Sequence, residues 1–166
     1  MTEQVLQTPK IKNGVFTTLG SSLIKGDPDV IFKTLLKFDD YSRWNTFTPN
    51  AEKVTSFEDF PKIGDQINLT VHMNGMNTRT QLVEITSFDA NLRRICWKGL
   101  GFPNWALRSE RVQELIEVDP GVYEYKNYET MEGFASYLTN FFVRSQLDEG
   151  FQRCTSDLKN YIESTS

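Results

Sequence analysis

The residues best placed to do chemistry lie on two segments that meet at Asp119-Pro120-Gly121. If Val118 and Val122 pair across that turn, Leu115 lies opposite Tyr125, Gln113 opposite Asn127 and Arg111 opposite Glu129. Glu114 then faces Lys126 on the other side of the hairpin. A slip by one residue sets Glu110 against Glu129, a like-charge pair, and turns every side chain to the opposite face. The favoured register gathers Arg111, Tyr125, Asn127 and Glu129 into one patch beside Leu115 and Met131. In such a patch Arg111 and Tyr125 can donate hydrogen bonds to a carbonyl or enolate oxygen. Glu129 can serve as a base where burial raises its pKa. A structural ion pair that fixes strand register is the competing reading of Arg111 and Glu129. The opposite face, with Glu110, Val112, Glu114, Ile116, Val118 and Tyr128, is the alternative inner face.

Other reactive side chains are few. His72 is the only histidine. It lies in a segment where Ile67, Leu69, Val71 and Met73 alternate with Gln66, Asn68, Thr70 and His72, so an inward apolar row turns the imidazole outward. Cys96 and Cys154 have apolar neighbours and read as buried free thiols. No CxxC or HExxH spacing is present, so neither a metal nor another cofactor is expected.

These side chains need a scaffold, and the hydrophobic pattern supplies one. Val15 to Lys25 reads as a strand. Asp27 and Pro28 are suited to cap and open a helix carrying Val30, Ile31, Leu35 and Phe38, and a second short turn covers Tyr41 to Phe47. Strands are expected at Lys53–Phe57, Gln66–Met73, Arg79–Phe88, Leu92–Gly99, Leu107–Val118 and Val122–Met131, with hairpin signals at Asn74-Gly75 and at Asp119-Pro120-Gly121. Beyond Gly133 the period changes. Phe134, Leu138, Phe141, Phe142, Phe151, Cys154, Leu158 and Ile162 predict one long amphipathic helix to about Glu163, roughly 45 Å long. Gly150 interrupts it, either as a tolerated glycine or as a notch for a ligand or a bulky strand residue. Strands first and a long helix last imply an α+β fold: an antiparallel sheet with one face covered by that helix.

Composition narrows the functional classes. The chain has 166 residues, 13% of them aromatic, and a net charge of −4. No clustered basic run suggests a nucleic-acid face, and no stretch approaches the roughly 20 apolar residues of a membrane helix. Residues 1–14 read as a frayed leader without the apolar core of a secretory signal, and 15–166 as a single domain. The expected location is cytoplasmic. The glycine- and aromatic-rich segment from Trp97 to Trp105 is either a plain hairpin loop or a gate, in which Phe102 and Trp105 cover something.

Four local patterns resemble the START-like (SRPBCC) superfamily, which includes pollen-allergen-like proteins, aromatic polyketide cyclases and coenzyme Q-binding proteins. They are Asp27-Pro28-Asp29-Val30-Ile31-Phe32, the D-x-x-x-W-N-x-F run from Asp40 to Phe47, Ile63-Gly64-Asp65, and Glu129-Thr130-Met131-Glu132-Gly133, where Met131 replaces the usual aromatic. The resemblance spans about Val15 to Glu163. It implies a helix-grip fold, a curved antiparallel sheet wrapped around the C-terminal helix, with two short helices after the first strand and a cavity for an apolar or aromatic small molecule. Within that frame Trp44 and Asn45 are expected to pack the short helices onto the sheet. The expected lining comprises Leu69, Val71, Val83, Ile85, Trp97, Phe102, Trp105, Asn127, Met131, Phe141 and Phe142 around the Arg111, Tyr125 and Glu129 patch. The implied function is ligand binding, with cofactor-independent cyclisation or isomerisation as the leading activity. A non-catalytic carrier of a lipid or quinone is the alternative, and a protein adaptor of the same fold a third.

Overall fold

The computed structural model describes residues 5–165. Seven strands form one antiparallel sheet: β1 (Phe16–Lys25), β2 (Asn50–Lys53), β3 (Gln66–Val71), β4 (Arg79–Asp89), β5 (Arg94–Gly99), β6 (Arg108–Asp119) and β7 (Val122–Glu132), in the order β1-β7-β6-β5-β4-β3-β2. Helix α1 (Pro28–Leu36) and a 3-10 turn (Phe38–Arg43) follow β1, and helices α2 (Phe134–Phe142) and α3 (Arg144–Thr165) close the chain. The sheet curves around α3, and the core fills the space between them.

Local chemistry explains the boundaries. Asp27 Oδ1 accepts from the backbone nitrogens of Asp29 and Val30, and Pro28 occupies the first helical turn. The expected strand at Lys53–Phe57 instead ends at Lys53. The Thr55 hydroxyl accepts the Gln66 backbone N–H at 2.9 Å, which takes it out of the strand ladder. The edge strand therefore lies earlier, at Asn50–Lys53, paired with Ile67–Thr70.

The hairpin register is the one that charge favours. Arg111 faces Glu129, Gln113 faces Asn127, Glu114 faces Lys126 and Leu115 faces Tyr125. Only the tip differs. Asp119, not Val118, pairs with Val122, and the irregularity falls between Glu117 and Asp119.

The C-terminal helix is not continuous, contrary to its periodicity. The break lies at Val143, whose N–H closes the last turn of α2 on Thr139 and whose carbonyl accepts from Gln146 and Leu147 to open the next helix. Arg144 then ties the start of α3 to β1, through the Thr17 carbonyl and over the Phe16 ring.

Gly150 sits within α3 and does not break it. A Cβ there would overlap the ring of Phe47, so the missing side chain is a notch, filled by a loop residue rather than by a ligand or a strand residue. One residue on, the backbone of Phe151 rests on Gly20 of β1, where a Cβ would collide with the Phe151 carbonyl and lie 2.7 Å from the Gln152 nitrogen. Side-chain bonds extend this contact along the strand. Thr18 donates to Asp148, Gln152 pairs with the backbone of Ser21, and Lys159 donates to the Leu23 carbonyl. The edge strand β1 is thereby covered.

The segment expected to fray is packed from Val5 onward. Ile11 and Thr8 are buried on the outer face of the sheet. The Glu110 carboxylate accepts from the Thr8 hydroxyl and the Lys10 N–H at 2.6 Å each, and from Thr86 at 2.8 Å. Val112, Tyr128 and Cys96 form a small apolar cluster there with Leu6. Residues 1–4 lie outside the described residues.

Candidate functional site

A cavity of about 330 Å3 opens between the inner face of the sheet and the two C-terminal helices. Its sheet side carries Leu69, Val71, Met73, Arg79, Gln81, Arg111, Glu129 and Met131. Its helix side carries Ala135, Leu138, Thr139, Val143, Leu147 and Phe151, with Phe47, Phe102 and Leu107 at the margins. A second hollow of about 310 Å3 adjoins it, where β4 and β5 run out towards the Gly99–Leu107 loop, and shares Arg79, Gln81, Phe102, Leu107, Glu129 and Met131. A larger groove of about 590 Å3 lies on the outside, by the end of α1. Its charges neutralise one another, as in the 3.4 Å pair of Lys53 with Asp39. The inner cavity, which holds buried polar groups, is the better candidate.

Arg111 dominates the cavity floor. It is only 5% exposed. Its guanidinium lies 4.5 Å from the ring centre of Phe151, 5.3 Å from Trp97 and 5.5 Å from Phe47. Nε donates to Asn127 Oδ1 at 2.8 Å, and one terminal nitrogen lies 4.0 Å from Cys154 Sγ. Three aromatic faces thus stand where a counter-ion is usual. The expected Arg111–Glu129 ion pair does not form: among the described residues no carboxylate lies within 4 Å of the guanidinium. The two residues are opposite in register, but the aromatic faces draw the arginine aside.

Burial holds the Glu129 carboxyl above the ordinary carboxylate range, against a hydrogen bond from Ser109 and the positive charge of Arg111. The folded protein therefore binds that proton more tightly than the unfolded chain does. Stability present below the ordinary carboxylate value is lost as pH rises through the native one. Glu129→Gln is expected to flatten this loss. Urea denaturation from pH 4 to pH 8 checks it, and a variant that loses stability over this range as steeply as the wild type would assign the effect elsewhere.

Other expected site residues fall into three groups. Leu69, Val71, Phe102 and Met131 line the cavity with Arg111 and Glu129. Val83, Ile85 and Trp97 do not line it. They are buried in the solid core, with Trp97 behind Arg111 and edge-on to Phe38. Tyr125 and Asn127 also lie behind the cavity wall. The Tyr125 hydroxyl is committed to Gln113 and lies 3.8 Å from Cys154 Sγ, and Asn127 supports Arg111. Burial pushes the Tyr125 hydroxyl well up and raises the Cys154 thiol, so both keep their protons.

Trp105, Phe141 and Phe142 are on the surface, 73%, 82% and 67% exposed. Trp105 stacks on Phe134 with 5.8 Å between ring centres. The phase break at Val143 turns Phe141 and Phe142 outward. Helix α2 is consequently inverted: Phe134, Tyr137, Leu138, Phe141 and Phe142 are exposed while Ser136 is its buried residue. Sequence reasoning missed Ala135 and Thr139 for this reason. Small and polar residues between aromatics were the available signal. Phe47, Met73, Arg79, Gln81, Leu107, Leu147 and Phe151 were missed as well.

Several residues play structural parts. Trp44 is buried 5.0 Å from Tyr41, and Asn45 accepts from the Thr48 backbone. His72 is exposed. Among the described residues no group of three or more His, Cys, Asp or Glu side chains could hold a metal ion, and no helix is long and apolar enough to cross a membrane.

The chain resembles two solved structures in particular. The Zhui aromatase/cyclase from Streptomyces sp. R1128 matches with a TM-score of 0.71 at 9% identity, over 89% of this chain and 93% of that one. A START superfamily protein from Mycobacterium smegmatis matches with a TM-score of 0.67 at 12% identity, over 90% and 99%. The fold is the START-like helix grip. In sequence, the grip is 23% identical over 174 residues to the oxopyrrolidines biosynthesis cluster protein O of Penicillium oxalicum, covering 89% of this chain and 86% of that protein. No family model matches. Together the two structural likenesses show the fold.

Proposed function

We propose that residues 15–166 form one domain that binds an apolar or aromatic small molecule in the cavity beneath α2, and that it acts on the ligand as a cofactor-independent cyclase or isomerase of secondary metabolism in the cytoplasm, without nucleic acid as a partner. The observation that carries this reading is the buried polar pair Arg111 and Glu129 on an otherwise largely apolar wall. A plain carrier needs no such pair. Arg111 holds an oxygen of the ligand. Glu129, whose carboxyl burial holds above the ordinary carboxylate range, acts in its ionised form: it takes a proton from a neighbouring carbon and returns it to another atom of the same molecule. The apolar wall excludes water and fixes the reacting conformation. The likeness to an aromatase/cyclase and to a biosynthesis-cluster protein supports the same reading. The alternative, a carrier of a lipid or quinone, is favoured by the apolar lining alone.

The test has two parts. The neutral fluorophore N-phenyl-1-naphthylamine is expected to bind the wild type. Thr139→Trp should weaken that binding at least about tenfold, because it fills the cavity from a helix that packs little. Equal binding would place the ligand elsewhere. Small molecules captured from host extract by the wild type should then be recovered rearranged, with the same mass or less one water. With Glu129→Gln they should be recovered unchanged. Recovery unchanged from both proteins identifies a carrier.

A further inference from the structure

Arg111 is a permanent cation in a nearly dry site, and the protein leaves it half satisfied. Its Nε is bonded to a neutral amide, Asn127 Oδ1 at 2.8 Å, and one terminal nitrogen meets only the Cys154 sulfur at 4.0 Å. The other terminal nitrogen has no hydrogen-bond partner among the described residues. It is also not among the fully enclosed polar atoms that lack one, so it opens onto the cavity that Arg111 lines. Arginine is never neutral in proteins, and a buried charge is costly unless something opposes it. Aromatic faces offset part of this cost but give the donors no acceptor. The carboxyl nearest in register, Glu129, makes no ion pair with Arg111. A second cation, Arg79, stands at the mouth of the same cavity, again with no ion pair among the described residues. In a chain of net charge −4, this is a locally positive hollow.

We infer that the ligand of this cavity is an amphipathic acid, whose carboxylate sits in the fork of Arg111 while its apolar body runs towards Leu69, Leu138 and Val143. This rests on the ligand-binding reading above and narrows it. The oxygen that Arg111 holds belongs to an ionised carboxylate, and the reacting carbons lie beside Glu129. A planar guanidinium matches a carboxylate with two parallel hydrogen bonds, which a neutral carbonyl or hydroxyl cannot make. Arg79 raises the local concentration of anions at the entrance.

Matched probes test it. 2-Naphthoate with 2-naphthamide, and the C8, C10 and C12 alkanoates with the corresponding alcohols, are titrated into the full chain at pH 7.5 by calorimetry. At least one acid is expected to bind about tenfold or more tightly than its neutral partner. Arg111→Gln should remove that preference while the neutral partner still binds. Arg111→Lys, which keeps the charge but not the fork, should retain only part of it. Should Arg111→Gln fail to fold, Asn127→Asp provides the second arm. It places a carboxylate against Nε, so it should fold and should cut the preference for acids about tenfold. Equal affinity for acid and neutral partner in the wild type overturns the inference and leaves the cavity reading standing. An acid preference that survives in both Arg111→Gln and Asn127→Asp overturns it too. Failure of every pair to bind, together with failure of the neutral fluorophore, removes the cavity reading itself.

Discussion

Gly20→Val is expected to remove about 3 kcal/mol of stability or more and to lower the melting temperature on the order of 10 °C. The Phe151 carbonyl and the Gln152 nitrogen occupy the place of a side chain at Gly20, and these are backbone atoms of a buried helix that cannot swing aside. Overpacking against flexible side chains costs about 1–3 kcal/mol, and a rigid neighbour puts the cost at the top of that range or above it. Most single domains have only about 5–15 kcal/mol of stability to lose. Leu23→Ala, on the same strand but exposed, should change stability by no more than about 0.5 kcal/mol. Thermal melts of the two variants decide the matter. A Gly20→Val protein that melts within two or three degrees of the wild type would mean that α3 can lift from β1 at little cost.

Phe151→Ala should produce the second largest effect, on stability and ligand choice together. The ring is buried, lies 5.4 Å from that of Phe47 and is the nearest of the three faces around Arg111. Truncating a buried Phe to Ala costs about 3–5 kcal/mol, so the melting temperature should fall on the order of 10 °C. The ring also forms part of the cavity wall, so its loss enlarges the cavity and wets Arg111. Ligands larger by about one ring should gain affinity relative to the wild type's preferred size. If stability falls and the size preference does not move, Phe151 is a core residue with no part in selection.

The hairpin around Arg111 was legible in the sequence because everything that determines it is local. Charges at 110, 114, 126 and 129 exclude the slipped register, and the structure pairs Arg111 with Glu129 as that argument requires. What the two residues do once opposite was not legible. Phe47, Phe151 and Trp97 come from three separate parts of the chain, and their rings displace the ion pair that register alone suggests. The same limit explains α2. Its apolar period continues in phase into α3, so the pattern reads as one helix. Periodicity shows that a face is apolar but not whether that face is turned inward, and here the Val143 break turns it out. The first residues looked unstructured because they are polar. Their anchor, Glu110, is a hundred positions away.

The break at Val143 also divides the protein's evolutionary liabilities. Residues that make the helix grip the sheet, among them Gly150 and Phe151, belong to α3, and their counterpart Gly20 belongs to β1. Three residues that line the cavity, Ala135, Leu138 and Thr139, belong instead to α2, which buries little besides Ser136. Substitutions at Ala135, Leu138 or Thr139 can therefore reshape what the cavity accepts without loosening the grip. A lineage under selection for a new ligand could explore that short helix almost freely, while the 22-residue helix after it stays constrained.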